Sequence, residues 1–114
     1  MKKAVTLQEN WEFRRLYNKG KSAVGPAMVV YCKKSRNEQN RLGVTVSTKL
    51  GGAVVRNRAR RRLREVYRLA SPHLKKGYDF VLVARSKAVD GSFSAMQENF
   101  ERLCKKLGVW EDEA

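Results

Sequence analysis

Histidine and cysteine are almost missing from this sequence. His73 is the sole histidine, and Cys32 and Cys104 stand far apart with no Cys-x-x-Cys pair. A zinc site draws on about four closely spaced ligands, so zinc is excluded. Two lone cysteines in apolar surroundings read as buried thiols of a reduced, cytoplasmic protein. Acids are scarce too: 11 Asp and Glu against 25 Lys and Arg. None forms a spacing-defined pair for acid–base work. There is no Ser-His-Asp or Cys-His set placed by pattern, no G-x-G-x-x-G and no P-loop, so the expected number of catalytic residues is none. The same absences leave no protein-borne metal and no small-molecule cofactor. No apolar stretch approaches the roughly 20 residues of a membrane span, and none follows the lysines of MKKAVTLQEN. Neither a membrane partner nor a signal peptide is expected.

What is abundant is positive charge. The formal net charge is +14 on 114 residues, and 42% of the residues are hydrophobic. That length fits one domain, 1–114, with enough apolar content for a core. Self-repulsion of this size destabilises a compact chain, so a polyanionic partner is implied. The charge is also clustered. Within Lys49–Arg68, KLGGAVVRNRARRRLREVYR, seven arginines fall between Arg56 and Arg68 with one acid, Glu65.

The pattern predicts a helix over Gln8–Asn18, closed by Gly20, with Phe13, Leu16 and Tyr17 on one face. On spacing alone, Phe13 and Tyr17 read as core. SAVGP (22–26) reads as a turn. Ala27–Cys32 reads as a strand with Met28, Val30 and Cys32 on one face and Val29 and Tyr31 on the other. Lys33–Asn40 reads as an exposed hairpin loop, leading to a strand over Arg41–Ser47 that pairs antiparallel with the first. A helix over Val54–Leu69 carries an apolar stripe of Val55, Ala59, Leu63, Val66 and Ala70, with arginines opposite. Ser71-Pro72 ends it. Tyr78–Ala84, YDFVLVA, reads as a central strand buried on both faces, Asp90-Gly91 as a loop, and Ser92–Leu107 as the last helix, closed by Gly108. The acidic tail WEDEA is either loose or folded back on the basic surface. The fold class is therefore α+β, an α/β sandwich in the order helix-strand-strand-helix-strand-helix. Its β-α-β crossover is right-handed by the general rule.

Arginine suits a nucleic-acid partner because its planar fork makes bidentate phosphate contacts and stacks on bases. The arginine face is wide rather than a narrow reading edge, and no zipper or finger accompanies it, so RNA is favoured over duplex DNA. A stand-alone RNA-binding, RNA-chaperone or ribosome-associated protein, and a nuclease in its own right, are the competing readings.

The stretch Val46–Glu65, VSTKLGGAVVRNRARRRLRE, resembles the signature of the bacterial ribonuclease P protein subunit, V-S-K-K-x-G-x-A-V-x-R-N-R-x-K-R. Phe13, Tyr17 and Gly20, the aromatic-bearing strand, Gly43, and Asp79–Leu82 extend the resemblance over nearly the whole chain. It implies a ribosomal protein S5 domain 2-like fold with an unusual left-handed crossover. It implies a non-catalytic subunit of an endoribonuclease that removes the 5′ leader of precursor tRNA. In that assembly a catalytic RNA carries the active site and its Mg2+. The implied partners are this catalytic RNA and precursor tRNA.

Carried over by position, the signature assigns catalytic-RNA contacts to Lys49, Arg56, Asn57, Arg58, Arg61, Arg62 and Arg64. Arg60 keeps the charge of the family's lysine, and Arg68 extends the face. Phe13, Tyr17 and Tyr31 match the aromatics of a leader cleft, with Val29, Thr45 and Ser47 lining the same open sheet face. Thr48 replaces a usual lysine, and Gly52 replaces a common asparagine.

Overall fold

The most apolar strand sits where its sequence demands. Tyr78–Ala84 (β5) is the middle of a five-stranded sheet, and its Phe80, Val81 and Leu82 are fully buried. A computed structural model describes residues 5–112. The remaining strands are β1 (Val5–Thr6), β2 (Lys21–Val24), β3 (Met28–Lys34) and β4 (Arg41–Thr45). The helices are α1 (Asn10–Lys19), α2 (Ala53–Ala70), α3 (Lys87–Asp90) and α4 (Phe93–Leu107). The sheet order is β1-β4-β5-β3-β2. β5 runs antiparallel to β3, with Val30 opposite Leu82, and parallel to β4, with Val44 opposite Leu82. The sheet is therefore mixed, and the fold is α+β as expected.

Three expectations are corrected. β3 and β4 are not a hairpin, because β5 lies between them and pairs with both. Two consecutive strands with one apolar face satisfy the same alternation whether they touch or are one strand apart. The SAVGP turn is mostly strand: β2 pairs antiparallel with β3 through Val24 opposite Val29. Its only buried side chain is Ala23, too little for a period-2 signal. Asp90, expected in a loop, ends the single helical turn α3, with Gly91 as its cap. Residues 1–7 read from the sequence as a short basic lead-in; they lie partly outside the described residues, and Val5–Thr6 adds a short parallel edge to β4.

Period 2 decides what each sheet face meets. On one face, Met28, Val30, Cys32, Leu42, Phe80 and Leu82 pack against Leu63, Val66 and Tyr67 of α2 and Phe100 and Leu103 of α4. On the other, Val81 packs under Leu16 of α1 and Leu7. Among the described residues only α1 crosses this second face, so part of it stays open. Both cysteines are buried free thiols, and burial pushes both upward from the usual thiol range.

Two glycines are fixed by close approach rather than by backbone sign. A Cβ on Gly20 would stand 2.6 Å from the Leu16 carbonyl oxygen, and one on Gly43 would stand 2.5 Å from the Phe13 ring. Gly108 differs: it closes α4 in the left-handed region at φ 77°. Beyond it the chain folds back. Trp110 stacks on His73 at 4.8 Å, and Asp112 lies 3.5 Å from Lys105.

Candidate nucleic-acid interface

α2 begins after a tight turn. Ser47 Oγ accepts the Lys49 amide at 3.1 Å, and Gly51 takes φ 146°, a conformation open to glycine. Gly52 is the N-cap of α2 and offers no side-chain cap bond. Asparagine there would supply a side-chain acceptor, which gives the family's common residue a physical reason. Ala59, Leu63, Val66 and Tyr67 are the buried stripe. Tyr67, which helical spacing puts at the edge of the predicted stripe, lies within it against Phe80 and Phe100. Burial pushes its phenol well above the usual range.

The arginines divide by what their guanidinium groups already hold. Arg58, Arg61 and Arg64 are exposed and make no ion pair or side-chain hydrogen bond among the described residues. Asn57 is exposed and accepts a hydrogen bond from Arg60 at 2.9 Å. Arg56 donates to the Gly51 carbonyl at 3.2 Å, reaching past the helix start as its position suggests. Arg68 pairs with Glu65 one turn earlier, which pushes the Glu65 carboxyl down. Arg62 is different in kind. It donates to the carbonyls of Ala88 at 2.9 Å, Val89 at 3.2 Å and Gly91, tying α2 to the end of α3. Its place in the signature gave no hint of this, because the acceptors lie 26 to 29 residues away. Lys49 is exposed on the turn before α2.

The open part of the second sheet face is aromatic. Tyr17 of α1 meets Tyr31 of β3 edge-on, with centroids 4.9 Å apart. Its hydroxyl and Thr45 Oγ1 are 3.0 Å apart. Phe13 is half-buried, with its ring lying over Gly43. Val29 shares this face with Tyr31, two residues along β3, and lies opposite Val83 of β5. Val83 was not singled out from the sequence, since a strand buried on both faces offers no cue to a half-open position. Ser47 is a correction. β4 ends at Thr45, and Ser47 lies beyond it as the cap of the turn before α2. Its hydroxyl serves the Lys49 amide of that turn instead of a sheet face.

A groove of about 610 Å³ runs from Phe13, Arg14 and Tyr17 past Thr45 to Arg60 of α2. The aromatic face thus adjoins the arginine helix at Arg60. Arg14 was not singled out from the sequence, because the arginines of α1 show no pattern distinguishing the flank that faces α2.

Beneath α1, Arg41 holds two carboxylates. It donates to both oxygens of Asp79, at 2.9 and 2.8 Å, and to Glu12. Glu12 also accepts the amides of Gln8 and Glu9 at 3.1 Å. Burial raises the Glu12 carboxyl, but these amides and Arg41 outweigh it and leave it below the usual range. Among the described residues no group of three or more His, Cys, Asp or Glu is placed to hold a metal ion. Nor is any helix long and apolar enough to cross a membrane.

The family model described as Ribonuclease P matches residues 1–108. The chain belongs to the ribonuclease P protein family. The "Ribonuclease P protein component" of Caldanaerobacter subterraneus subsp. tengcongensis is 39% identical over 110 residues, covering 96% of this chain and 95% of the relative. The Staphylococcus aureus RNase P protein structure aligns with a TM-score of 0.83 at 34% identity, covering 96% of this chain and 100% of that one. The Thermotoga maritima RNase P protein gives 0.79 at 30% identity, covering 89% and 96%. Family membership thus agrees with the α+β architecture, and the expected resemblance holds over nearly the full length.

Proposed function

We propose that this chain is the protein subunit of a ribonuclease P, an RNA-containing endonuclease that matures the 5′ ends of tRNA. The observation that carries the reading is the continuous groove joining Phe13 and Tyr17 to Arg60 of the arginine helix. The exposed Arg58, Arg61 and Arg64, with Lys49 and Asn57 beside them, contact phosphates of a catalytic RNA. Arg56, Arg60 and Arg68 form the shoulder of that contact. Arg62 acts through the fold, holding α3 against α2. The cleft of Phe13, Tyr17, Val29, Tyr31 and Thr45 takes the single-stranded leader of precursor tRNA. Base stacking on aromatics is worth about 1–3 kcal/mol per base, and it does not require a particular sequence.

The subunit works by positioning. Leader bases in the cleft and catalytic-RNA phosphates on α2 are held on one rigid surface, so substrate and catalyst are oriented together. The active site belongs to the RNA subunit. Among the described residues, the buried carboxylates Glu12 and Asp79 are both held by Arg41. Mg2+ bound by the RNA would supply the activated water and the charge stabilisation at phosphorus.

Precursor tRNA cleavage tests this in three arms: protein alone, catalytic RNA alone at low Mg2+, and both together. Cleavage is expected only when protein is added to the RNA. Activity from protein alone makes the chain a nuclease, and no rescue of the RNA makes it a stand-alone RNA binder.

A further inference from the structure

α1 is a ridge with a groove on each flank. Asn10, Phe13, Arg14 and Tyr17 face the groove already described. Trp11 and Arg15, one turn apart, face a second groove of about 660 Å³. Its far wall is the end of β3 and the segment after it, Lys33 to Asn37, and its floor is the Glu12–Arg41–Asp79 cluster. The two grooves have no lining residue in common.

We propose that this second groove binds unpaired RNA, separately from the aromatic cleft. The proposal rests on the RNA-binding role above and adds a second strand site to it. Three observations carry it. The first is Trp11, which is 55% exposed with no aromatic or hydrogen-bond partner among the described residues, whereas Trp110 stacks on His73. An indole left open in this way offers a face for stacking. The second is uncompensated charge. Arg15, Lys33, Lys34 and Arg36 line the groove and make no ion pair among the described residues. The two carboxylates that line the groove, Glu12 and Asp79, are turned to Arg41. The third is the combination. Four cations around one open indole match a strand that carries both phosphates and accessible base faces. A duplex hides those faces in its stack, so the occupant is single-stranded.

Two sources share this chemistry, the leader of precursor tRNA and an unpaired segment of the catalytic RNA. The test begins with Trp110→Phe, which leaves Trp11 as the only indole. A uridine oligomer of about 12 nucleotides, within the range such surfaces cover, is titrated while emission and iodide quenching are followed. Saturable quenching and protection of Trp11 are expected, and they persist when Tyr31→Ala disables the cleft. Neutralising Lys34 and Arg36 together lowers the salt slope by about 1.4, at about 0.7 per contact on a single strand. If Trp110→Phe does not fold, the difference between the unmodified chain and Trp11→Phe gives the same signal.

In the holoenzyme, Trp11→Ala is expected to weaken binding roughly tenfold, one lost base stack. Loss confined to precursors with long leaders assigns the groove to the leader, and loss in catalytic-RNA binding assigns it to that RNA. A silent Trp11 while the protein still rescues cleavage overturns this site and leaves the subunit role standing. Equal protection by hexaglutamate overturns it too, because the groove then selects charge alone. Failure to rescue cleavage is the failure of the subunit role itself.

Discussion

The arginine helix and the aromatic cleft meet at Arg60, yet they are built in opposite ways. α2 draws its surface from one continuous stretch, in which helical periodicity alone separates Leu63 and Val66 from Arg58, Arg61 and Arg64. The cleft draws one or two residues from each of four elements: Phe13 and Tyr17, Val29 and Tyr31, Thr45, and Val83. A surface carried by one helix survives small changes elsewhere. A surface assembled across a sheet depends on every contact that seats α1. The same contrast recurs within α2, where Arg61 is free and its neighbour Arg62 is a structural tie.

The sharpest way to separate the two surfaces is to unseat α1 alone. Arg41→Ala leaves Glu12 and Asp79 buried without their shared guanidinium. A loss of about 3–5 kcal/mol in urea unfolding is expected. Glu12 lies below its usual range in the native protein. Its contribution is therefore complete above about pH 4.3 and lost as the pH falls through the lowered native value. The deficit of Arg41→Ala is full at neutral pH and narrows below about pH 4, where a protonated Glu12 no longer needs the guanidinium. A deficit independent of pH would break this account.

Gly43→Ala acts on the cleft from below. Its Cβ would stand 2.5 and 2.7 Å from two Phe13 ring carbons, so the ring must move. A cost of about 1–3 kcal/mol is expected, with leader binding weakened and catalytic-RNA binding kept. Equal loss of both interactions would mean that the surfaces are not separable.

Tyr31→Ala removes a cleft wall without touching Gly43. Precursor tRNA binding should weaken by about 1–3 kcal/mol and mature tRNA binding should not change, as read by parallel titrations. Equal weakening makes Tyr31 part of the core only.

Within α2, Arg61→Ala should lower the salt slope of catalytic-RNA binding by about one and leave the unfolding midpoint in place. Arg62→Ala should do the reverse, costing about 1–2 kcal/mol of stability at an unchanged slope. Exchanged outcomes would remove the distinction between free and tied arginines. The smallest effect is at the helix start. Gly52→Asn meets open space and adds a side-chain cap, so a gain of a few tenths of a kcal/mol in thermal unfolding is expected.

Local periodicity made much of this legible. β5 was placed centrally from its unbroken apolar run, and α2 and α4 were found within a residue or two of their ends. Tyr31 and Val29 were put on one face of β3 by alternation. Strand pairing was not legible: alternation says which way a side chain points and nothing about which strand lies beside it. β2 was missed because a short edge strand buries one alanine, and Ser47 was misplaced because strand and turn share the same extended backbone at its position.

Sequence by itself determined the charge, the two faces of α2 and the family, because each is written in neighbouring residues or in a fixed period. Only the tertiary structure decided that Arg62 ties α3, that Tyr17 reaches Thr45, and that Arg41 occupies the two carboxylates beneath α1. Those partners lie 26 to 38 residues apart in the chain. No local rule reaches that far, so burial and hydrogen bonding across the sheet had to choose them.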